Sequence, residues 1–311
     1  MKKLLLFLEI CLLAVMMTGS IYHTIGENGG AETSREADQH AENTNRTDEG
    51  TEDAITAETA SVPWEECHVI AHALGGLDGY TYLNSKESFL YYYERGCRLF
   101  EVDLAQTSDG VWVCRHNWNE PRGQWEGEEA RVLSEQEFLA APLYGAYTPL
   151  TLEGLFSLLA DYPDAFVLLD VKQYSARNFE NTTKDYSQYL EIAEQAGRKE
   201  VLDQVVPEIY NPEMYSTASA LYGFPSYLYS LWQEYSQEEL EEIASFCQEK
   251  GIPAVAMYSE YWTDETKKVF DEKGILVYIY TVNDEEEARR FIENGAAGVC
   301  TDTLLEENCR K

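Results

Sequence analysis

The chain has 311 residues and a formal net charge of −33, from 23 basic against 56 acidic side chains. That balance lacks the basic footprint of a nucleic-acid binder, and it repels anionic lipid surfaces and polyphosphates. A hydrophobic share of 44% is enough for a full core, in one large domain or two small ones.

Residues 1–23 read as a signal peptide or N-terminal membrane anchor. Lys2 and Lys3 precede an apolar run from Leu4 to Met17, broken only by Glu9, and Thr18-Gly19-Ser20 follow. The run is shorter than the ~20 residues of a spanning helix. We therefore expect an extracytoplasmic protein, secreted or anchored, whose membrane contact is confined to this segment. Residues 24–63 read as an acidic disordered linker: large apolar groups are nearly absent, and the acids there face only Arg35 and Arg46. His23 and His40 precede the folded part and are set aside as catalytic candidates. Asn45 and Asn181 each begin a glycosylation sequon, which without a eukaryotic context carries little. Cys11 lies in the leader, and the other six cysteines show no CxxC or zinc spacing. Cys97, Cys114 and Cys300 sit in apolar runs and suit small buried hydrophobes.

From Trp64 onward, short apolar runs alternate with amphipathic stretches. The candidate strands are His68–His72, Leu99–Leu104, Phe166–Lys172, Gln204–Tyr210, Ser226–Leu231, Pro253–Tyr258, Ile275–Thr281 and Gly298–Thr301. Between them lie helical patterns such as Ser85–Arg95, Leu150–Ala160, Ser187–Gly197, Gln237–Gly251, Asp264–Gly274 and Asp284–Gly295, several ending in glycine. This rhythm predicts a (β/α)8 TIM barrel over residues 64–311. An open doubly wound sheet is the competitor, but no Gly-rich dinucleotide fingerprint follows a strand. Thr107-Ser108-Asp109-Gly110 is a turn signal that makes Leu104 to Arg115 a β-hairpin inserted after the second strand.

Strand alternation points Glu101 and Asp103 the same way, and folding the hairpin about Asp109 brings His116 beside them. His72 joins if its strand is a neighbour. Barrel enzymes carry their sites at the C-terminal strand ends. Here those ends hold His72, Glu101, Asp103, Asp170, Lys172, Glu208, Tyr210, Trp232, Tyr258, Thr281 and Asn283, a charged and aromatic rim. His68 starts its strand at the opposite end and reads as structural.

In this order the motifs resemble the glycerophosphodiester phosphodiesterase family, within the wider set of phosphatidylinositol-phospholipase-C-like barrels. The family's first strand ends His-Arg-Gly, followed by an Asn and a helix; here His72-Ala73 is followed by Asn84 and Ser85 to Phe89. Its Glu-x-Asp strand is matched by Glu101-Val102-Asp103, its Thr-x-Asp-Gly turn by Thr107 to Gly110, and its His-Asp by His116-Asn117. Its Glu-x-Lys is matched by Asp170-Val171-Lys172. Its closing Thr-Val-Asn and Gly-x-x-Thr-Asp appear as Thr281-Val282-Asn283 and Gly298 to Asp302. Three positions depart: Ala73 replaces an Arg that contacts phosphate, Asn117 replaces an Asp, and Asp170 is one methylene shorter than Glu.

The resemblance implies an exported, metal-dependent phosphoric diester hydrolase that splits a glycerophosphodiester into an alcohol and a phosphomonoester such as glycerol 3-phosphate. Substrates of this kind include phospholipid head groups and polyglycerophosphate wall polymers. His72 and His116 are the expected acid–base pair, because an unperturbed pKa near about 6.5 lets imidazole work in either direction. Glu101, Asp103 and Asp170 are the expected ligands of a hard divalent cation, Ca2+ or Mg2+, bound through oxygen. Lys172 or Arg115 would supply positive charge to the phosphate. Tyr210, Trp232 and Tyr280, with Trp118, Tyr258 and Trp262, are candidates to rim the substrate pocket. Two other readings stay open: an inactive barrel that binds such ligands, motivated by Ala73, and a metal-independent enzyme that releases a cyclic phosphate.

Overall fold

A strand buried on both faces needs apolar partners on both, and Leu99–Gln106 is closed to solvent over its first seven residues. The computed structural model describes residues 63–119, 131–171 and 182–310. The leader, most of the acidic linker, both sequon asparagines and Lys172 lie outside the described residues. Among the described residues no helix is long and apolar enough to cross a membrane.

The elements in chain order are β1 (Val69–Ala71), α1 (Lys86–Glu94), β2 (Leu99–Gln106), β3 (Trp112–Cys114), α2 (Glu135–Leu139), α3 (Leu152–Leu159), β4 (Phe166–Val171), α4 (Thr182–Gln195) and β5 (Val205–Ile209). They continue with α5 (Pro212–Leu221), β6 (Leu228–Leu231), α6 (Gln237–Lys250), β7 (Ala254–Tyr258), α7 (Asp264–Asp271), β8 (Leu276–Tyr280), α8 (Glu285–Glu293), β9 (Gly298–Thr301) and α9 (Glu306–Cys309). Eight strands run parallel and close on themselves, because Ile70 of β1 pairs with both Leu99 of β2 and Cys300 of β9. This is the TIM barrel expected from the alternation of strands and helices. β3 is the hairpin arm: it pairs antiparallel with the end of β2, Leu104 opposite Cys114 and Gln106 opposite Trp112. The hairpin carries β2 two residues beyond its expected end.

Alternation along the strands sorts side chains into two cores. Ile70, Leu99, Leu168, Val206, Leu228 and Tyr278 fill the barrel interior. Phe100, Val102, Val167 and Val255 point outward against Phe89, Phe156 and Phe270 of the helices. Fully burying each such apolar side chain stabilises the fold by roughly 1.5–3 kcal/mol. The N-terminal mouth is closed by Trp64, whose ring lies 6.3 Å from that of Tyr278, and the Tyr278 hydroxyl donates to the Cys67 carbonyl at 3.0 Å. The six described cysteines are buried and unlinked.

Helix starts follow local chemistry. Ser85 and Ser236 form capping boxes before α1 and α6, and Gly251 takes the left-handed conformation after α6, with φ 68°. α5 adds to the helices read from the pattern. Its apolar stripe is weak, but Asn211 caps Met214 N–H and Pro212 occupies the first turn.

Candidate active site

At the C-terminal mouth of the barrel lies a pocket of about 340 Å3 whose walls include His72, His116, Glu101, Asp170 and Glu208. The two imidazoles therefore share one cavity, as expected from the sequence. The ring of Tyr82 lies between them, 4.9 Å from His72 and 4.7 Å from His116, centroid to centroid.

His72 directly follows β1, and the chain then turns through two left-handed non-glycine residues, Ala73 (φ 50°) and Leu74 (φ 63°). Such residues cost on the order of 1–3 kcal/mol each and persist where neighbours hold them. Glu101 Oε2 helps to hold this turn by accepting the Ala73 N–H at 2.7 Å, and it lies 3.9 Å from His72 Nε2. On the other ring nitrogen, His72 Nδ1 donates to Asp302 Oδ1 at 2.7 Å. Asn283 fixes Asp302 in turn: its Nδ2 donates to Asp302 Oδ2 at 2.7 Å and its Oδ1 accepts the Asp302 N–H at 2.7 Å. Burial opposes the Asp302 charge, but the hydrogen bonds from His72 and Asn283 outweigh it and hold the carboxyl below its ordinary pKa.

The three carboxylates come from adjacent strands. The β2–β4 register sets Asp103 beside Asp170. Glu101, Asp103 and Asp170 are all buried, with one oxygen from each within 4.8 Å of the others. Asn84 grips Asp103 twice: Nδ2 donates to Oδ2 at 2.7 Å, and Oδ1 accepts the Asp103 N–H at 3.1 Å. The Tyr210 hydroxyl donates to Asp170. Burial first, then the Asp170 charge, push the Tyr210 phenol well above its ordinary pKa. A donor set of three clustered, hard, anionic oxygens fits a divalent cation such as Ca2+ or Mg2+.

His116 follows β3. Asn117 Oδ1 accepts the Asn119 N–H at 2.8 Å, so its amide NH2 faces His116 Nδ1 at 2.9 Å. Nδ1 then accepts, which leaves the proton of the neutral ring on Nε2. Tyr210, Trp232, Tyr258 and Tyr280 line the pocket. Arg115 does not: it is buried, its N–H donates to the Asp103 carbonyl at 2.9 Å, and its guanidinium lies 5.5 Å from the Trp118 ring. Among the described residues no Lys or Arg lines the pocket. Trp118 packs on Phe138 and Trp262 packs against the outer core. His68 sits at the far end of β1, with Nδ1 on the Ala297 carbonyl at 2.8 Å.

Asp302 and Asn84 stand within the sequence motifs, which assign them no role. Their signal was position: one directly follows a barrel strand, the other precedes a helix start. Tyr82 gave no sequence signal, because it lies in an irregular loop and takes a left-handed φ of 54°.

Comparison with known proteins accords with this geometry. No curated protein matches the sequence. Among solved structures, a Silicibacter pomeroyi protein assigned as a glycerophosphoryl diester phosphodiesterase superposes with TM-score 0.61 at 22% identity, covering 76% of this chain and 90% of its own. A glycerophosphodiester phosphodiesterase of Parabacteroides distasonis gives 0.58 at 18%, covering 78% and 95%. An Oleispira antarctica phosphodiesterase, in complex with the product sn-glycerol-3-phosphate, gives 0.58 at 19%, covering 76% and 92%. These likenesses show the shared fold. The model of the glycerophosphoryl diester phosphodiesterase family matches residues 76–306, and the chain belongs to that family of phosphodiester hydrolases.

Proposed function

We propose that this protein hydrolyses a glycerophosphodiester to an alcohol and a phosphomonoester such as glycerol 3-phosphate, with His72 and His116 as the acid–base pair. The observation that carries this reading is the meeting of both imidazoles with the carboxylate cluster in one pocket. Water attacks phosphorus, the bond to the leaving alkoxide breaks, and the imidazoles take the water proton and supply the alkoxide proton. His72 donates its Nδ1–H to Asp302, which fixes the ring and leaves Nε2, on the Glu101 side, as the nitrogen that takes the water proton. His116 offers its Nε2–H as a donor, given the Asn117 contact on its other nitrogen.

A phosphodiester is an anion, and the described pocket wall presents Glu101, Asp170 and Glu208 with no Lys or Arg to receive it. Electrostatics therefore favours a divalent cation held by Glu101, Asp103 and Asp170. When bound, the ion supplies charge neutralisation at the phosphate and Lewis acidity. Asn84 and Tyr210 orient two of its carboxylates. The leader-like N-terminal sequence supports action outside the cytoplasm, which secretion of the full chain into medium or periplasm tests.

The experiment is product analysis. The full chain with Ca2+ or Mg2+ is expected to release glycerol phosphate from a glycerophosphodiester, and EDTA to stop it. A cyclic phosphate product together with indifference to EDTA would replace this reading with metal-free, cyclising cleavage.

A further inference from the structure

The two imidazoles are held by different means. His72 is tied across the barrel seam through Asp302, whereas the Asn117 amide that faces His116 belongs to the next residue. The Asn117 contact orients its neighbour's ring but moves with it, so by itself it cannot register His116 against His72. Pairing of Leu104 with Cys114, and the Arg115 N–H on the Asp103 carbonyl, fix the backbone up to that point. Tyr82 then joins the two side chains. Its ring stands edge-on to His72 at 4.9 Å and 74°, and tilted to His116 at 4.7 Å and 44°.

The loop that carries Tyr82 is strained and braced. Asp78, Tyr82 and Asn84 take left-handed conformations, with φ of 52°, 54° and 46°, and non-glycine residues of this kind gather at functional sites. Both ends of the loop are fastened to residues of the site. The Gly76 N–H donates to the Asp302 carbonyl at 2.7 Å, and the Asn84 N–H donates to that of Ala73 at 2.8 Å. Between them Leu83 packs with Leu143 and Tyr147, and Tyr80 stacks on Tyr144 at 4.0 Å. The Tyr147 hydroxyl donates to Asp78 at 2.7 Å. Tyr82 itself lines the pocket and is 39% exposed, so burial is a weak reason for its place.

In phosphoryl transfer the attacking and leaving oxygens stand roughly in line on opposite sides of phosphorus. Imidazoles that serve those two oxygens must therefore be kept apart at a set spacing while facing one cavity. We infer that Tyr82 is a positioning residue for phosphodiester cleavage, its ring acting as the spacer that sets His116 against His72. This rests on the phosphodiesterase reading and adds to it a residue that acts through the histidines.

The test uses the full chain on a glycerophosphodiester with Ca2+ or Mg2+. Tyr82→Ala is expected to lower kcat about tenfold or more with KM little changed, as a slight misplacement of reacting groups does. Tyr82→Phe, which keeps the ring, is expected to recover most of that loss. In a His116→Ala background, Tyr82→Ala is expected to cost almost nothing more, because the group it positions is already gone. Thermal midpoints check folding; should Tyr82→Ala not fold, Tyr82→Leu takes its place with the same expectations. A loss carried by KM, a Tyr82→Phe as slow as Tyr82→Ala, or full additivity with His116→Ala overturns the inference while the hydrolase reading stands. A second readout needs no turnover. By NMR the His116 ring is expected to give one sharp set of signals in the wild type and Tyr82→Phe, and a broadened or doubled set in Tyr82→Ala. If the wild type cleaves no ester yet shows this pattern, the spacer role stands and the hydrolase reading falls. One sharp set in Tyr82→Ala overturns the inference.

Discussion

His72 Nδ1 lies 2.7 Å from Asp302 Oδ1, a hydrogen bond that spans 230 residues of sequence and joins the end of the first barrel strand to the residue after the last. It fixes which nitrogen of His72 carries the proton and leaves Nε2 on the Glu101 side. Asp302→Asn keeps the shape and removes the charge. We expect kcat to fall by about 10²-fold or more, within the range of positioned acid–base catalysis, while KM changes little. Steady-state kinetics checks the split.

The same carboxylate contributes to acid stability. Its folded pKa is depressed, so its contribution is full above the unfolded value and is lost as pH falls through the folded one. Thermal unfolding against pH is expected to show the wild type losing its advantage over Asp302→Asn on acidification below the ordinary aspartate range. A difference that does not vary with pH contradicts this.

Glu306 carries the opposite sign. Its Oε1 accepts the N–H groups of His68 and Val69, both at 3.0 Å, beneath the barrel. Burial, only partly offset by those bonds, raises its pKa. A raised carboxyl contributes stability at low pH that is lost as pH rises through its folded value. Glu306→Gln is therefore expected to gain on the wild type as pH climbs from acid toward neutral, measured as the difference between thermal midpoints. A Glu306→Gln midpoint that falls relative to the wild type over that range contradicts the assignment.

Asn84 grips Asp103 through both amide atoms. Asn84→Leu is expected to weaken divalent-cation affinity about 10–100-fold, as loss of a ligand-orienting partner does. Calorimetric titration of the metal checks this without reference to turnover.

The sequence conveyed the barrel because its strands are short, apolar and evenly spaced. It conveyed the carboxylate cluster because two-residue alternation forces Glu101 and Asp103 onto one face. The hairpin turn at Gly110, with φ 86°, returned His116 as its composition implied. What stayed hidden depends on side chains that meet only after closure. Asp302, held by Asn283, reaches His72 across the β1–β9 seam, and Tyr82 enters between the histidines from a loop of left-handed residues with no periodicity. Arg115 illustrates the limit of reading strand ends: it borders the expected site in sequence, but its side chain packs on Trp118 rather than lining the cavity. α5 was obscured because its apolar face is weak, although the Asn211-Pro212 start was present.

The most direct measurement of the central claim is kcat on a glycerophosphodiester for His72→Ala, His116→Ala and the double variant, each checked for an unchanged thermal midpoint. Acid–base partners acting as a unit predict a loss of about 10²-fold or more in each single variant, with little further loss in the double. Turnover retained in either folded single variant contradicts the paired-imidazole account.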